Sequence, residues 1–178
     1  MKAREFILKK AYPLKGRILE IGAGNGHTTL ALAKAGYKFV SIDKDKQAIK
    51  ITALNLAYRN MLSNVTFYVM DGESLTFPDN SFKNIVIVNL FHHIKDIDKV
   101  LSGADRALCA DGKLVLADFN KKGMGIVNAV HKQEGRIHED YGVSKDYIYS
   151  YFHGLGYEIE SYKEKHHWLL IGKKQIQP

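Results

Sequence analysis

The sequence predicts an α/β fold: a doubly wound, mostly parallel sheet with helices on both faces. Three observations carry this. Strand-like and helix-like segments alternate at regular spacing from Arg17 to Asp118, the pattern of successive βαβ units. A glycine-rich stretch, Gly22-Ala23-Gly24-Asn25-Gly26, joins the first strand to a helix, the context in which such a loop holds a ligand at a strand mouth. The last two strand-like stretches are joined by a short polar link, so they pair antiparallel, because a parallel crossover needs about a dozen residues or more.

The elements follow in order. Residues 2–11 alternate charge with Phe6, Ile7 and Ala11 at helical spacing, a short N-terminal helix ended by Pro13. Arg17 to Ile21 is the first strand, and the Ala/Leu-rich run from Thr28 to Ala35 is a helix stopped by Gly36. Lys38 to Ile42 is the second strand, ending at Asp43. A helix runs from Gln47 to about Asn60, with apolar residues on one side. Val65 to Val69 is the third strand, closed by the Asp71-Gly72 turn. Past the polar Pro78-Asp79-Asn80 loop come a fourth strand from Asn84 to Val88, a helix from Ile97 to Cys109 and a fifth strand from Lys113 to Ala117. Gly123 to Gly142 is weakly periodic and polar, a helix and loop lying over the sheet edge. Ser144 is an N-cap, with Asp146 in the first turn, for a helix to about Leu155. Strands Tyr157–Tyr162 and His167–Gly172 end the chain.

At 178 residues this is one domain, 1–178, with enough apolar content (46%) for its own core. The single Cys109 makes no internal disulfide and no thiolate metal site. No run is apolar enough to span a bilayer or act as a secretory signal, so the expected setting is cytoplasmic. A net charge of +7 favours an anionic partner, although the lysines are scattered as on an ordinary solvated surface.

The chemistry gathers at strand ends. In Gly22–Gly26 the glycines permit tight turning and close backbone approach by a ligand. Position 27, where a dinucleotide fingerprint has its third glycine, is His27, and Glu20 sets an anion where a pyrophosphate would lie. Both suit instead a ligand with a cationic amino-acid end. Asp43, at the second strand's end, has the position to accept from two ribose hydroxyls; Asp45 reads as a helix N-terminal acid. Asp71, at the third, is placed to accept from an adenine amine.

These stretches, with Ser41-Ile42-Asp43, Val69-Met70-Asp71-Gly72-Glu73 and Ile85-Val86-Ile87-Val88-Asn89-Leu90-Phe91-His92-His93-Ile94, resemble the class I S-adenosylmethionine-dependent methyltransferases, from Arg17 to Lys174. The paired histidines make the chain most similar to the small-molecule branch that includes ubiquinone/menaquinone-biosynthesis enzymes. The resemblance implies a three-layer, Rossmann-like sheet of seven strands, mostly parallel with the last antiparallel. It implies S-adenosylmethionine as cofactor, with the methionine end on Gly22, Ala23, Gly24 and Gly26 and Glu20 near the amino group. Asp43 would meet the ribose, Asp71, Gly72 and Glu73 the adenine, and Lys44 and Asn89 complete the set.

Departures from the family narrow the acceptor. The Asn-Pro-Pro-aromatic motif of amine-directed members is absent, since Leu90-Phe91-His92 follows Asn89. Neutral Asn89, with Asp118 and Asn120 beyond, does not match the acidic ligands of metal-dependent members, so no metal is expected. His92 and His93, beside the strand mouth and titrating in the useful range, are the catalytic candidates. Phe91 is placed to face the sulfonium or to pack in the core. Residues 119–143 form a candidate substrate cover with His131, His138 and Tyr141, whereas His166 and His167 read as surface or edge residues. The expected activity is methyl transfer to a small, anionic molecule by in-line displacement. A nucleic-acid methyltransferase and a catalytically silent cofactor-binding subunit are the alternatives. Oligomeric state is not legible.

Overall fold

The computed structural model describes residues 2–133 and 141–175. Helix α1 (Lys2–Ala11) leads into β1 (Ile18–Ile21), α2 (His27–Lys34), β2 (Phe39–Asp43), α3 (Lys46–Ala57) and β3 (Val65–Val69). Then come β4 (Phe82–Val88), α4 (Ile97–Ala107), β5 (Leu108–Phe119), α5 (Lys121–Gln133), α6 (Lys145–Gly154), β6 (Glu158–Lys163) and β7 (His167–Lys173). The strands form one sheet in the order β3-β2-β1-β4-β5-β7-β6. Strands β1 to β5 pair in parallel, while β7 is antiparallel to both β5 and β6, so β7 alone runs against the rest.

Central strands are apolar on both faces because helices cover both, as parallel sheets require. Ile21, Ile42, Ile85, Ile87, Leu114 and Leu116 pack towards α4 and α6. Ile18, Val86, Val88, Val115 and Ala117 pack on the other face, against Ile7 and Ala11 of α1, Leu32 of α2 and Leu56 of α3. This gives three layers. The strand order reverses between β1 and β4, and a doubly wound sheet opens its ligand crevice there, beyond the strands' carboxyl ends.

The fold departs from the sequence reading in three places. The helix expected to reach Cys109 ends at Ala107, and β5 starts at Leu108, pairs with Phe82 there and shifts register before Lys113 meets Asn84. Helix α5 occupies 121–133 of the expected cover segment, and His138 lies outside the described residues. His167 is buried, not at the surface: it pairs with Phe119 at the carboxyl end of β5, because an antiparallel β7 starts where its parallel neighbours finish.

Candidate active site

Glycine geometry shapes the turn after β1. Gly22, Gly24 and Gly26 all adopt positive φ, at 89°, 50° and 78°. At Gly24 the direction a side chain would take is open, so its backbone faces free space. Gly26 does a different job. A Cβ there would sit 2.8 Å from Thr52, whose hydroxyl donates to the Gly24 carbonyl at 3.0 Å. Gly26 donates its N–H to Ala23, which closes the loop, and it lines neither of the two cavities at the strand mouth described below.

Asp43 braces the loop from the next strand. Its Oδ2 accepts from the Gly24 N–H at 2.8 Å and its Oδ1 from the Asp45 N–H at 2.9 Å. Each oxygen keeps a lone pair for a further donor. Asp45 caps α3 by accepting from Gln47 N–H, as the sequence suggested. Asp71 caps a single 3₁₀ turn, 72–74, through Glu73 N–H at 3.0 Å. The Glu73 amide is thereby taken, and Glu73 lines neither of the two cavities at the strand mouth. Gly72 is required by proximity, since a Cβ would stand 2.9 Å from Ile21.

Glu20 lies buried under the loop, where Oε2 accepts from Thr29 at 2.8 Å and Ser41 at 2.5 Å and Oε1 has no partner. It borders neither of the two cavities at the strand mouth and supports the loop from beneath. Burial, opposed by those two hydroxyls, pushes its carboxyl up to about 7.

Two cavities share the mouth of the sheet. The smaller, about 50 Å³, lies between β2 and the turn after β3, lined by Ile42, Met70, Asp71, Gly72 and Ile94. The larger, about 530 Å³, is bounded by Gly22, Ala23, Gly24, Asn89, His92 and Phe119. Gly22, Asp43, Lys44, Leu90 and His93 border both, which makes them one cleft in two parts. Asn89 follows β4 in the left-handed region, at φ 56°, and its buried Oδ1 has no partner.

His92 and its partner stand at the far end. The buried His92 ring places Nδ1 2.7 Å from Asp118 Oδ1, and its backbone N–H donates to Oδ2 at 3.2 Å. Asp118 is equally buried and accepts from Phe119 N–H at 2.7 Å. The pairing crosses from the turn after β4 to the end of β5, so sequence distance hid it. His93 is exposed, its ring centroid 4.1 Å from that of His92. Tyr141 is exposed and donates its backbone N–H to the His92 carbonyl. Phe91 is core: it is buried and stacks on Trp168 at 5.8 Å, away from any sulfonium role. Arg4 and Val127 also line the larger cavity, residues that the sequence reading passed over.

The profile of the methyltransferase domain family matches residues 19–116, more than half of the chain. The chain belongs to that family. Among relatives of this methyltransferase domain, the uncharacterized methyltransferase YcgJ of Bacillus subtilis (strain 168) is 36% identical over 102 residues, 57% of this chain and 40% of the relative. The ubiquinone/menaquinone biosynthesis C-methyltransferase UbiE of Rickettsia rickettsii (strain Sheila Smith) is 28% identical over 163 residues, 88% of this chain and 60% of the relative. The chain therefore spans about half the length of these curated relatives. Among solved structures, PH0226 from Pyrococcus horikoshii OT3 superposes with a TM-score of 0.82 at 17% identity, covering 98% of this chain and 89% of that one. The B. subtilis YcgJ structure gives 0.77 at 19% identity, over 98% of both chains. These two likenesses are of fold: the seven-stranded methyltransferase sheet with its reversed β7.

Proposed function

We propose that this chain binds S-adenosylmethionine in the two-part cleft and transfers its methyl group to a small-molecule acceptor in the larger part. The observation that carries the reading is the shared border. Gly22 of the braced glycine loop and Asp43 border both a small recess beside Asp71 and a chamber lined by His92, which Asp118 holds. The residues fit such a cofactor. Gly24 faces open space, Asp43 retains acceptor capacity for hydroxyls, and the buried Asn89 Oδ1 awaits a donor.

When bound, S-adenosylmethionine supplies a methyl on a positively charged sulfur that is already a good leaving group. The chain then has to align an acceptor and exclude water, and such orientation is worth roughly 7–11 kcal/mol of barrier. Phe119 and Val127 wall the chamber. Asp118, accepting from His92 Nδ1–H, holds the imidazole in the tautomer whose Nε2 is basic. His92 thereby serves as the base for an acceptor that must lose a proton, and Asp118 as its positioning residue. A relative named a C-methyltransferase favours a carbon acceptor, for which proton loss is required.

Titration calorimetry with S-adenosylhomocysteine tests the cofactor half of this reading. Binding is expected, with Asp43→Ala weakening it about ten- to a hundredfold, since a charge-assisted bond is worth about 1.5–3 kcal/mol. Asp45→Ala should cost about 1 kcal/mol of stability through the lost cap and leave affinity within a small factor. No heat at millimolar ligand, or equal damage from the two substitutions, would overturn the assignment.

A further inference from the structure

Arg4 reaches from α1 to the boundary between two spaces. It lines the larger cavity beside the glycine loop, and also a crevice of about 580 Å³ between α1 and α2. Its Nε is buried and has no hydrogen-bond partner. The other described arginines are engaged. Arg106 holds Asp79 and two carbonyls, Arg59 donates to the Asn55 carbonyl, and Arg17 lies over the Phe82 ring. Among the described residues, Arg4 has no ion pair, hydrogen bond or ring partner.

A half-buried guanidinium without a partner is costly to keep, because its lost hydration is not replaced. The Asp118 carboxylate acts on Arg4 only at a distance and accepts its hydrogen bonds from His92 and Phe119. His27 and His167 stand nearby, and burial, reinforced by the charge of Arg4, holds both imidazoles below their usual range; the Glu164 and Asp118 carboxylates oppose this at His167. With both imidazoles held below their usual range, Arg4 is the permanent cation beside them, and exposed Lys44 also lines the chamber.

We propose that Arg4 is the anion anchor of the chamber: its forked N–H groups grip a carboxylate or phosphate carried by the methyl acceptor. The fork matches an oxyanion with two parallel hydrogen bonds, which a lysine point charge does not reproduce. This rests on the methyltransferase reading above and adds a substrate class, a small molecule with an oxyanion apart from the methylated atom.

Ligand-observed NMR on the full chain, saturated with S-adenosylhomocysteine, tests this with benzoate and phenyl phosphate as separate probes. The probe that binds tells carboxylate from phosphate. Wild-type chain should bind one of them, Arg4→Gln should weaken it at least about tenfold, and Arg4→Lys should fall between. Lys34→Gln, which removes a like charge in the neighbouring crevice, should leave binding unchanged. The proposal is overturned if neither probe binds, if Arg4→Gln binds as well as wild type, or if both Arg4 variants lose S-adenosylhomocysteine, which would assign Arg4 to the cofactor's own carboxylate or to the fold. Should wild type itself fail to bind S-adenosylhomocysteine, the methyltransferase reading falls, and the same probes on the unloaded chain still decide the role of Arg4.

Discussion

Glu20 is the residue whose environment most opposes its charge. Burial raises its carboxyl to about 7, well above the ordinary 4.5, so between these values the folded protein holds a proton that the unfolded chain has released. Its contribution to stability is therefore full below about pH 4.5 and is lost as pH rises through about 7. Glu20→Gln keeps an acceptor for Thr29 and Ser41 without the charge, and should be more stable than wild type at pH 8 by up to about 3 kcal/mol, but not at pH 4. Urea unfolding of both proteins at the two pH values checks this; a difference independent of pH would refute it. At this scale the sequence was informative where one strand end and its own turn sufficed. Asp43 and the glycines were legible because their positions follow from local order. Asp118 and Arg4 were not, because they meet the chamber only through register between β4 and β5 and through the docking of α1.

At the scale of elements, the join between β1 and α2 depends on one close approach. Gly26→Ala would place a methyl against Thr52, which is buried and held by its bond to Gly24, in a left-handed conformation that already costs about 1–2 kcal/mol. Overpacking adds about 1–3 kcal/mol. Gly36→Ala is the matched control, with φ 82° and nothing within 4 Å. Denaturation midpoints should fall further for Gly26→Ala; equal losses would remove the packing argument. The strands were read from alternation and turn residues, and their order along the chain was right. The direction of β7 relative to the mouth was not drawn out. An antiparallel last strand necessarily begins at its neighbours' carboxyl ends, so His167 belonged beside the cleft although it lies late in sequence.

For the molecule as a whole, the ends of β4 and β5 do not offer a pair of free acids. Asn89 is neutral, and Asp118 is engaged by His92 and Phe119. Methyl transfer should therefore keep its full rate after exhaustive chelation, and a rate lost to chelator and restored by magnesium would contradict this. No described helix is long and apolar enough to cross a membrane. The reversed β7 has a temporal consequence. Arg4 comes from α1, and β7, which walls Phe119 through His167, follows every other strand of this sheet in chain order. A ribosome-bound chain that has emerged only through β5 already owns the glycine loop, Asp43 and the His92–Asp118 pair, but the outer edge of β5 is bare. The half of the cleft proposed for the cofactor is thus made before β7, while the half proposed for the acceptor waits for β7 to pair, when a nascent chain gains a closed wall and loses an open strand edge in the same step.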